Sequence, residues 1–383
     1  MSEAKNFPED VNFTVLPFPH DVVQNHPEKV AEILSRESAM RQPIVVTDRF
    51  DDFLEIDSRV SHLAMGNLES PFTPSELAAM TSERAFRLMV EGFESSDFKN
   101  ELQKQHVPIV TGIPSVQGHH FGFIDLDSRA AIVAATLTAL GANAEKIRIK
   151  IFGEVPGVFS ADPRIVSDVR MYARMSFAEA LELSTLDGPR AFSSGGLMGV
   201  DQRGVQIQVR SIHDFDNKGT RVLERLDGDT QGVRFISGRR HQFLFTVGCG
   251  RMAHSSGIAS LVLNACAELD VSVNATAGVG STFVFSIDQD HPRRDELESR
   301  LEQIGDVAVQ QNLALICSIG TGMKQKNGLA SRLTGILAGA GVNIEEITTS
   351  ADRIVAFFVQ DDQYEDAINV LHREMIEREE VGR

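Results

Sequence analysis

From Met1 to Arg225, short β-branched runs alternate with helical periodicities. Pro43-Ile-Val-Val-Thr47 and Val107-Pro-Ile-Val-Thr111 are compact apolar runs, and Ile147-Arg-Ile-Lys-Ile151 alternates with period two, so each predicts a strand. Between them, residues 27–37 place Val30, Ile33 and Leu34 at helical spacing, and 74–93 and 128–140 show similar patterns. The last of these begins after Asp127 and Ser128, natural N-caps, and stops at Gly141. A further strand is predicted over Val205-Gln-Ile-Gln-Val-Arg210. This alternation predicts an α/β fold in which a mainly parallel sheet lies between two layers of helices.

The remainder of the chain contains an internal repeat. Ser256-Gly-Ile-Ala-Ser260 recurs as Asn327-Gly-Leu-Ala-Ser331, and Asp270-Val-Ser-Val273 recurs as Gly341-Val-Asn-Ile344, both at the same offset along the chain. Each copy opens with an alternating strand (Phe243–Val247; Leu313–Ser318) and turns through glycine into a helix. Two further strands follow (Val271–Thr276 and Thr282–Ile287; Val342–Thr348 and Ile354–Val359), then a second helix over 293–304 or 363–378. The order is βαββα, a split unit whose sheet is covered by helices on one face. Each copy is too small for a large core of its own, so the two should pair sheet edge to sheet edge.

Composition narrows the function. The 37 Lys and Arg face 54 Asp and Glu, a net charge of −17, which excludes a basic surface for nucleic acid or anionic membrane. No apolar run approaches the roughly 18 residues of a membrane span, and the polar N-terminus is unlike a signal peptide. A cytoplasmic location is expected. Cys249, Cys266 and Cys317 lie far apart in apolar runs, which predicts buried inert thiols rather than a disulfide framework or a metal site.

The βαββα repeat resembles a tandem of ACT domains, the amino-acid-sensing modules of biosynthetic enzymes, and residues 328–350 resemble the second ACT domain of aspartokinases. The resemblance continues upstream. Gly157-Val-Phe-Ser-Ala-Asp-Pro-Arg-Ile-Val166 is close to the family's GVYTADPRIV segment, Ser176–Leu183 matches the helix after it, and Val205–Ser211 with Gly219 and Thr220 is similar to the strand leading out of the kinase domain. The implied organisation is a three-layer αβα amino-acid-kinase-like domain over 1–225, followed by two βαββα, ferredoxin-like ACT domains over 232–305 and 306–383. A helix N-terminus in each ACT copy offers backbone N–H groups to an α-carboxylate. The effector-binding candidates are Ser255, Ser256, Gly257 and Ile258 in the first copy, and Asn327, Gly328, Leu329, Asn343 and Ile344 in the second. Simple helix capping is the competing reading of the same residues. Ser272 stands where the family usually places its Asn.

The kinase motifs of the family are eroded. Its N-terminal Lys-Phe-Gly-Gly-Thr-Ser turn falls here on residues 15–20, with Val15 for the Lys, Pro17 and Phe18 for the glycines, and Pro19 and His20 for Thr and Ser. Val cannot neutralise a phosphate, and Pro offers no N–H. Glu83 fits the Glu of the aspartate motif, though a solvated helix residue explains it equally, and the Ser and Gly before it become Met80 and Ser82. The Gly-rich phosphate loop becomes Asp125-Leu-Asp-Ser-Arg-Ala130. A carboxylate about 4 Å from a phosphate charge is unfavourable by on the order of 4 kcal/mol at an effective dielectric of about 20; Arg129 could offset part of this. Glu154 keeps one acid of the nucleotide turn, Pro156 replaces the other, and Pro189 replaces a later Lys. Glu154, Phe159 and Arg164 remain as a remnant adenine and ribose shelf.

By residue type, His119 and His120 with Asp125 and Asp127 could hold a metal, but a polar hairpin tip explains them better, and no metal site is assigned. No catalytic residue is assigned either. Two functions follow from the resemblance. One is a catalytically impaired aspartokinase relative that senses an amino acid of the lysine, threonine or methionine class, needs no cofactor, and forms a homodimer or a mixed oligomer with an active aspartokinase through its ACT domains. The other is an active aspartokinase that uses MgATP to phosphorylate the β-carboxylate of aspartate. A purely structural dimer is a third reading.

Overall fold

The computed structural model describes residues 11–47, 60–64, 67–68, 107–111, 115–116, 126–186, 197, 200, 204–226, 232–248, 257–278, 280, 282–350 and 352–378. The chain divides into two compact units. The first comprises Met1–Val158, Met171–Ser184 and Arg190–Asp227; the second comprises Phe159–Arg170, Thr185–Pro189 and Gly228–Arg383. Helix 74–93 of the sequence reading lies outside the described residues.

The first unit is built on an eight-stranded sheet. Its strands are β1 (Phe13–Pro17), β2 (Gln42–Val46), β3 (Val60–Ala64), β4 (Val107–Thr111), β5 (Ile147–Gly153), β6 (Arg174–Ser176), β7 (Gln206–Ser211) and β8 (Thr220–Leu223), in the order β6-β8-β7-β5-β1-β2-β4-β3. All neighbours are parallel except β7 and β8. Helices α1 (His20–Asn25) and α2 (Pro27–Met40) follow β1, with Pro27 at the first position of α2, where a missing N–H is harmless. Val30, Ile33 and Leu34 of α2 pack on Leu16, Phe18, Val45 and Phe152. Helix α3 (Leu126–Ala139) is buried from Ser128 through Leu137, and its middle, Ala130 to Ala135, is apolar on every face. The α/β fold with a mainly parallel sheet agrees with the alternation in the sequence.

Under α2 lies a buried ion pair. Lys150 of β5 donates to Glu37 of α2, and Thr14 Oγ1 donates to the same carboxylate at 2.9 Å. All three side chains are at most 5% exposed. Burial pushes the Lys150 ammonium below its ordinary value, and Glu37 opposes that shift.

In the second unit, two long strands carry the repeat. β9 (Gly232–Gly248) and β12 (Asp306–Thr321) run antiparallel along nearly their whole length. β10 (Ala275–Ala277) and β11 (Thr282–Asp288) add to one side, β14 (Ile354–Gln360) and β13 (Glu346–Ser350) to the other, giving the order β10-β11-β9-β12-β14-β13. The sequence periodicity marks only the half of each long strand that covers its own core. Within each copy, β11 pairs with 242–248 of β9 and β14 pairs with 313–319 of β12. The other half completes the neighbouring copy: 232–239 of β9 runs against 315–321 of β12, and 306–310 of β12 runs against 244–248 of β9. The two halves meet where the β9–β12 register slips, between Arg239 and Leu244. There His241 (φ 55°) and Asn312 (φ 59°), at equivalent positions of the two copies, adopt left-handed backbone. Gly320 allows the same strands to close at their end, where a Cβ would meet Gly232 O at 1.8 Å.

Each copy has its own apolar core. Helices α5 (Ile258–Glu268) and α6 (Arg294–Glu302) cover Phe243, Phe245, Phe285 and Ile287 in the first copy, after α4 (Phe177–Ser184) of the first unit; α7 (Leu329–Gly339) and α8 (Tyr364–His372) cover Ile236, Ile316, Phe357 and Val359 in the second. Ala161 and Val166, from the segment 159–170, join the second core. Cys266 and Cys317 are buried, and burial pushes the Cys266 thiol up to about 11, away from the reactive thiolate; Cys249 lies outside the described residues. No helix among the described residues is long and apolar enough to cross a membrane.

The paired charges make stability testable in each unit. Glu37→Gln leaves a buried ammonium without its counter-charge and should destabilise the first unit by about 3–5 kcal/mol, whereas Glu37→Leu with Lys150→Met should recover most of that loss; urea denaturation of the two variants checks both. At the register slip, Asp361 accepts from Arg240 Nη2 (2.7 Å) and from the His241 N–H (2.9 Å). Burial would raise this carboxyl, but Arg240 and His241 hold it below its ordinary value. Its contribution is therefore complete above about pH 4 and is lost as pH falls through the depressed folded value. The urea midpoints of the wild type and Asp361→Asn should converge on acidification and separate at neutral pH.

Candidate functional site

The strand order of the first unit reverses at β1. From there the chain winds outward through β2 on one side and β5 on the other, so the crevice outside the carboxyl ends of β1 and β5 is the position where open α/β sheets bind ligands. The end of β1 brings apolar groups to that edge. Val15 and Phe18 are wholly buried, and Pro17 is buried beside them. The Phe18 ring stacks on Phe152 with centroids 6.2 Å apart, and its backbone N–H donates to Val46 O at 2.9 Å. A glycine with a free amide at this position could approach an anion; here the phenylalanine ring packs into the core with Val23, Val30 and Leu34, and its amide is already paired.

Arg129, the cation expected where the resemblance aligns the family's phosphate loop, is 3% exposed and donates to Thr47 O at 3.3 Å. It belongs to the first turns of a buried helix. Asp125 and Glu83 lie outside the described residues, as do His119, His120 and Pro189.

Glu154 follows β5 at the same edge of the sheet, and two histidines meet it there. His26, between α1 and α2, contacts Glu154 Oε1 through Nε2 at 3.2 Å; His213, after β7, contacts Oε2 through Nε2 at 2.7 Å. The hydrogen bond from His213, helped by His26, holds the Glu154 carboxyl below its ordinary range, so it is ionised at neutral pH. The sequence reading identified Glu154 alone. The histidines stand 128 residues and 59 residues away in the chain, and no local pattern links them to it. Phe159 and Arg164, the other members of the remnant shelf, belong to the second unit. Arg164 is exposed and pairs with Asp162 through Nε and Nη2.

The effector candidates of the second unit sit at the two helix starts. Gly257 (φ 124°) precedes α5 and Gly328 (φ 75°) precedes α7, again at equivalent positions of the repeat, and neither helix receives a side-chain cap. No side-chain cap takes the first-turn amides at these ends, while the Leu329 N–H donates to Lys326 O at 3.3 Å. Asn327 and Gly328 are exposed, whereas Leu329 is buried in the core. Ile258 and Ile344 pack at the margins of their cores. Asn343 is exposed, and its amide donates to Glu345 Oε1 at 2.8 Å. Ser255 and Ser256 lie outside the described residues.

A buried relay also occurs in the second unit. Ser160 Oγ and His372 Nε2 are 2.8 Å apart, and His372 Nδ1 contacts Glu377 Oε1 at 2.7 Å. Serine and histidine are both wholly buried, so no substrate reaches the hydroxyl and the relay anchors segment 159–170 to α8.

Comparison with known proteins agrees with this architecture. Residues 18–213, just over half of the chain, match the amino acid kinase family, and residues 316–375 match the ACT domain. The aspartate kinase FUB3 of Gibberella fujikuroi is 26% identical over 309 residues, which cover 72% of this chain and 59% of that protein; the chain therefore spans less than two thirds of that relative. An aspartokinase of Corynebacterium efficiens is 25% identical over 367 residues, covering 89% of this chain and 84% of the relative. Among solved structures, Escherichia coli aspartokinase III in complex with aspartate and ADP shares the fold at a TM-score of 0.74 and 18% identity, covering 94% of this chain and 99% of the other.

Ser160→Ala should lower the stability of the second unit by about 1–3 kcal/mol, because it leaves the buried His372 Nε2 without a partner. Amide hydrogen exchange should show the added opening in α8 while β1 and β2 keep their protection.

Proposed function

The chain belongs to the amino acid kinase family and carries the aspartokinase arrangement of a kinase domain followed by an ACT region, and from that premise we propose that it is a catalytically impaired aspartokinase relative that senses an amino acid through its ACT pair. The observation that carries the reading is the Phe18 amide paired to Val46 O beneath a buried ring, at the turn where the family presents a lysine and two glycines. Phosphoryl transfer is mostly positioning and charge neutralisation, so a turn that has lost its cation and its free amide loses a main source of rate. Removing one such donor typically lowers the rate by about 10² to 10³. At this turn a cation and two glycines are replaced together, and Arg129 is directed to a carbonyl.

Sensing is supported by the two uncapped helix starts in the repeat, with Gly257, Ile258, Asn327, Gly328 and Leu329 as the backbone that meets an α-carboxylate. Ser255 and Ser256 extend the first of these turns in the chain. The effector belongs to the lysine, threonine or methionine class, and the ACT sheets form a homodimer or a mixed oligomer with an active aspartokinase. Glu83, Glu154, Phe159 and Arg164 are what remains of the substrate and nucleotide sites.

Thermal denaturation tests the proposal. Lysine, threonine or methionine should raise the Tm of the full chain, since a ligand stabilises by binding the folded state. MgATP should leave the Tm unchanged. A clear rise with MgATP together with aspartate-dependent release of ADP would establish the active kinase instead.

A further inference from the structure

Three donor side chains from separate parts of the first unit converge at the carboxyl edge of its sheet. His26 Nε2, a Glu154 carboxylate oxygen and His213 Nε2 all lie within 4.8 Å of one another. The two imidazoles meet edge to face with centroids 5.0 Å apart, both turned toward the same carboxylate. We propose that His26, Glu154 and His213 bind a divalent transition-metal ion of the zinc class.

The chemistry of the donors selects the ion. Two imidazoles and one carboxylate suit zinc and its neighbours, whereas magnesium and calcium favour oxygen donors. Metal–ligand bonds of 2.0–2.1 Å in a tetrahedron place donors roughly 3.3 Å apart. The contacts of 3.2 Å and 2.7 Å to Glu154 already approach that spacing. The side chains are 27%, 67% and 46% exposed in chain order, so the imidazoles can turn the remaining distance and an ion can enter from solvent.

The backbone around the donors is fixed. The His26 N–H is bonded to Val22 O, and the His26 carbonyl accepts from the Val30 N–H. His213 stands at the mouth of a loop closed by Arg210, which donates to the Phe215 and Asn217 carbonyls; the His213 N–H donates to Ser211 Oγ at 3.0 Å. Glu154 directly follows the last residue of β5. Rigid placement of ligands on three elements is what a metal site requires. Three protein donors leave one tetrahedral position for water or an exogenous carboxylate, the pattern of open zinc sites.

The test uses the full chain, expressed without a histidine tag and stripped of metal by chelator. Calorimetric titration with zinc chloride should give one equivalent per chain, and cobalt substitution should give the visible bands of a four-coordinate site. Glu154→Gln and His213→Gln should each weaken zinc binding by about tenfold or more and lose the cobalt bands, while far-ultraviolet dichroism stays that of the wild type. Unchanged zinc affinity in the His26→Gln, His213→Gln double variant would assign the ion elsewhere and overturn the proposal; so would no uptake of micromolar zinc by the wild type. Both readouts are independent of ATP and of the ACT effector, so their failure leaves the sensor reading where it stands.

Discussion

The amide of Phe18 and the carbonyl of Val46 form one hydrogen bond at the carboxyl end of a parallel sheet, and the chemistry of the first unit depends on it. An anion can be cradled at such an edge only by amides that the fold leaves unpaired. Here the amide is paired, and the ring attached to it packs against Phe152 in the core beneath α1 and α2. The amino-acid-kinase architecture is held where the sheet and α2 pack through Leu16, Val30, Leu34 and Val45.

The second unit follows a different constraint. Neither copy of the repeat supplies a whole sheet from its own strands, so each long strand serves both cores and bends where it passes from one to the other. The crossing has left-handed backbone at His241 and Asn312, and the acids beside it, Asp288 of the first copy and Asp361 of the second, clamp the adjacent Arg239 and Arg240 of β9. The polar pairs flanking the crossing are equivalent but reversed. Asn274 donates to Asp288 in the first copy, whereas Gln360 donates to Glu345 in the second. The exchange keeps one carboxylate and one amide at each position, so the hydrogen bonds are preserved while the sequences diverge.

In the first unit, the same edge of the sheet gathers segments from the ends of several strands: Glu154 follows β5, and His26 and His213 reach its carboxylate from two flanking loops.

Much of the architecture was legible in the sequence because it rests on local patterns. The period-two run at 147–151, the spacing of Val30, Ile33 and Leu34, and the recurrence of one βαββα pattern in the second half report which faces are buried, and burial is encoded residue by residue. The residues that the family resemblance sets against its Lys and glycines, Val15, Pro17 and Phe18, were equally plain to read, since side-chain chemistry needs no coordinates. Three features were decided by tertiary structure alone. The extra halves of β9 and β12 are specified by a partner strand rather than by their own alternation. Arg129 could be counted as a cation in the chain, but only packing directs it to Thr47 O. The gathering of His26, Glu154 and His213 depends on which strands lie side by side, and β5 and β7 are brought together by sheet pairing, an order that no local periodicity records.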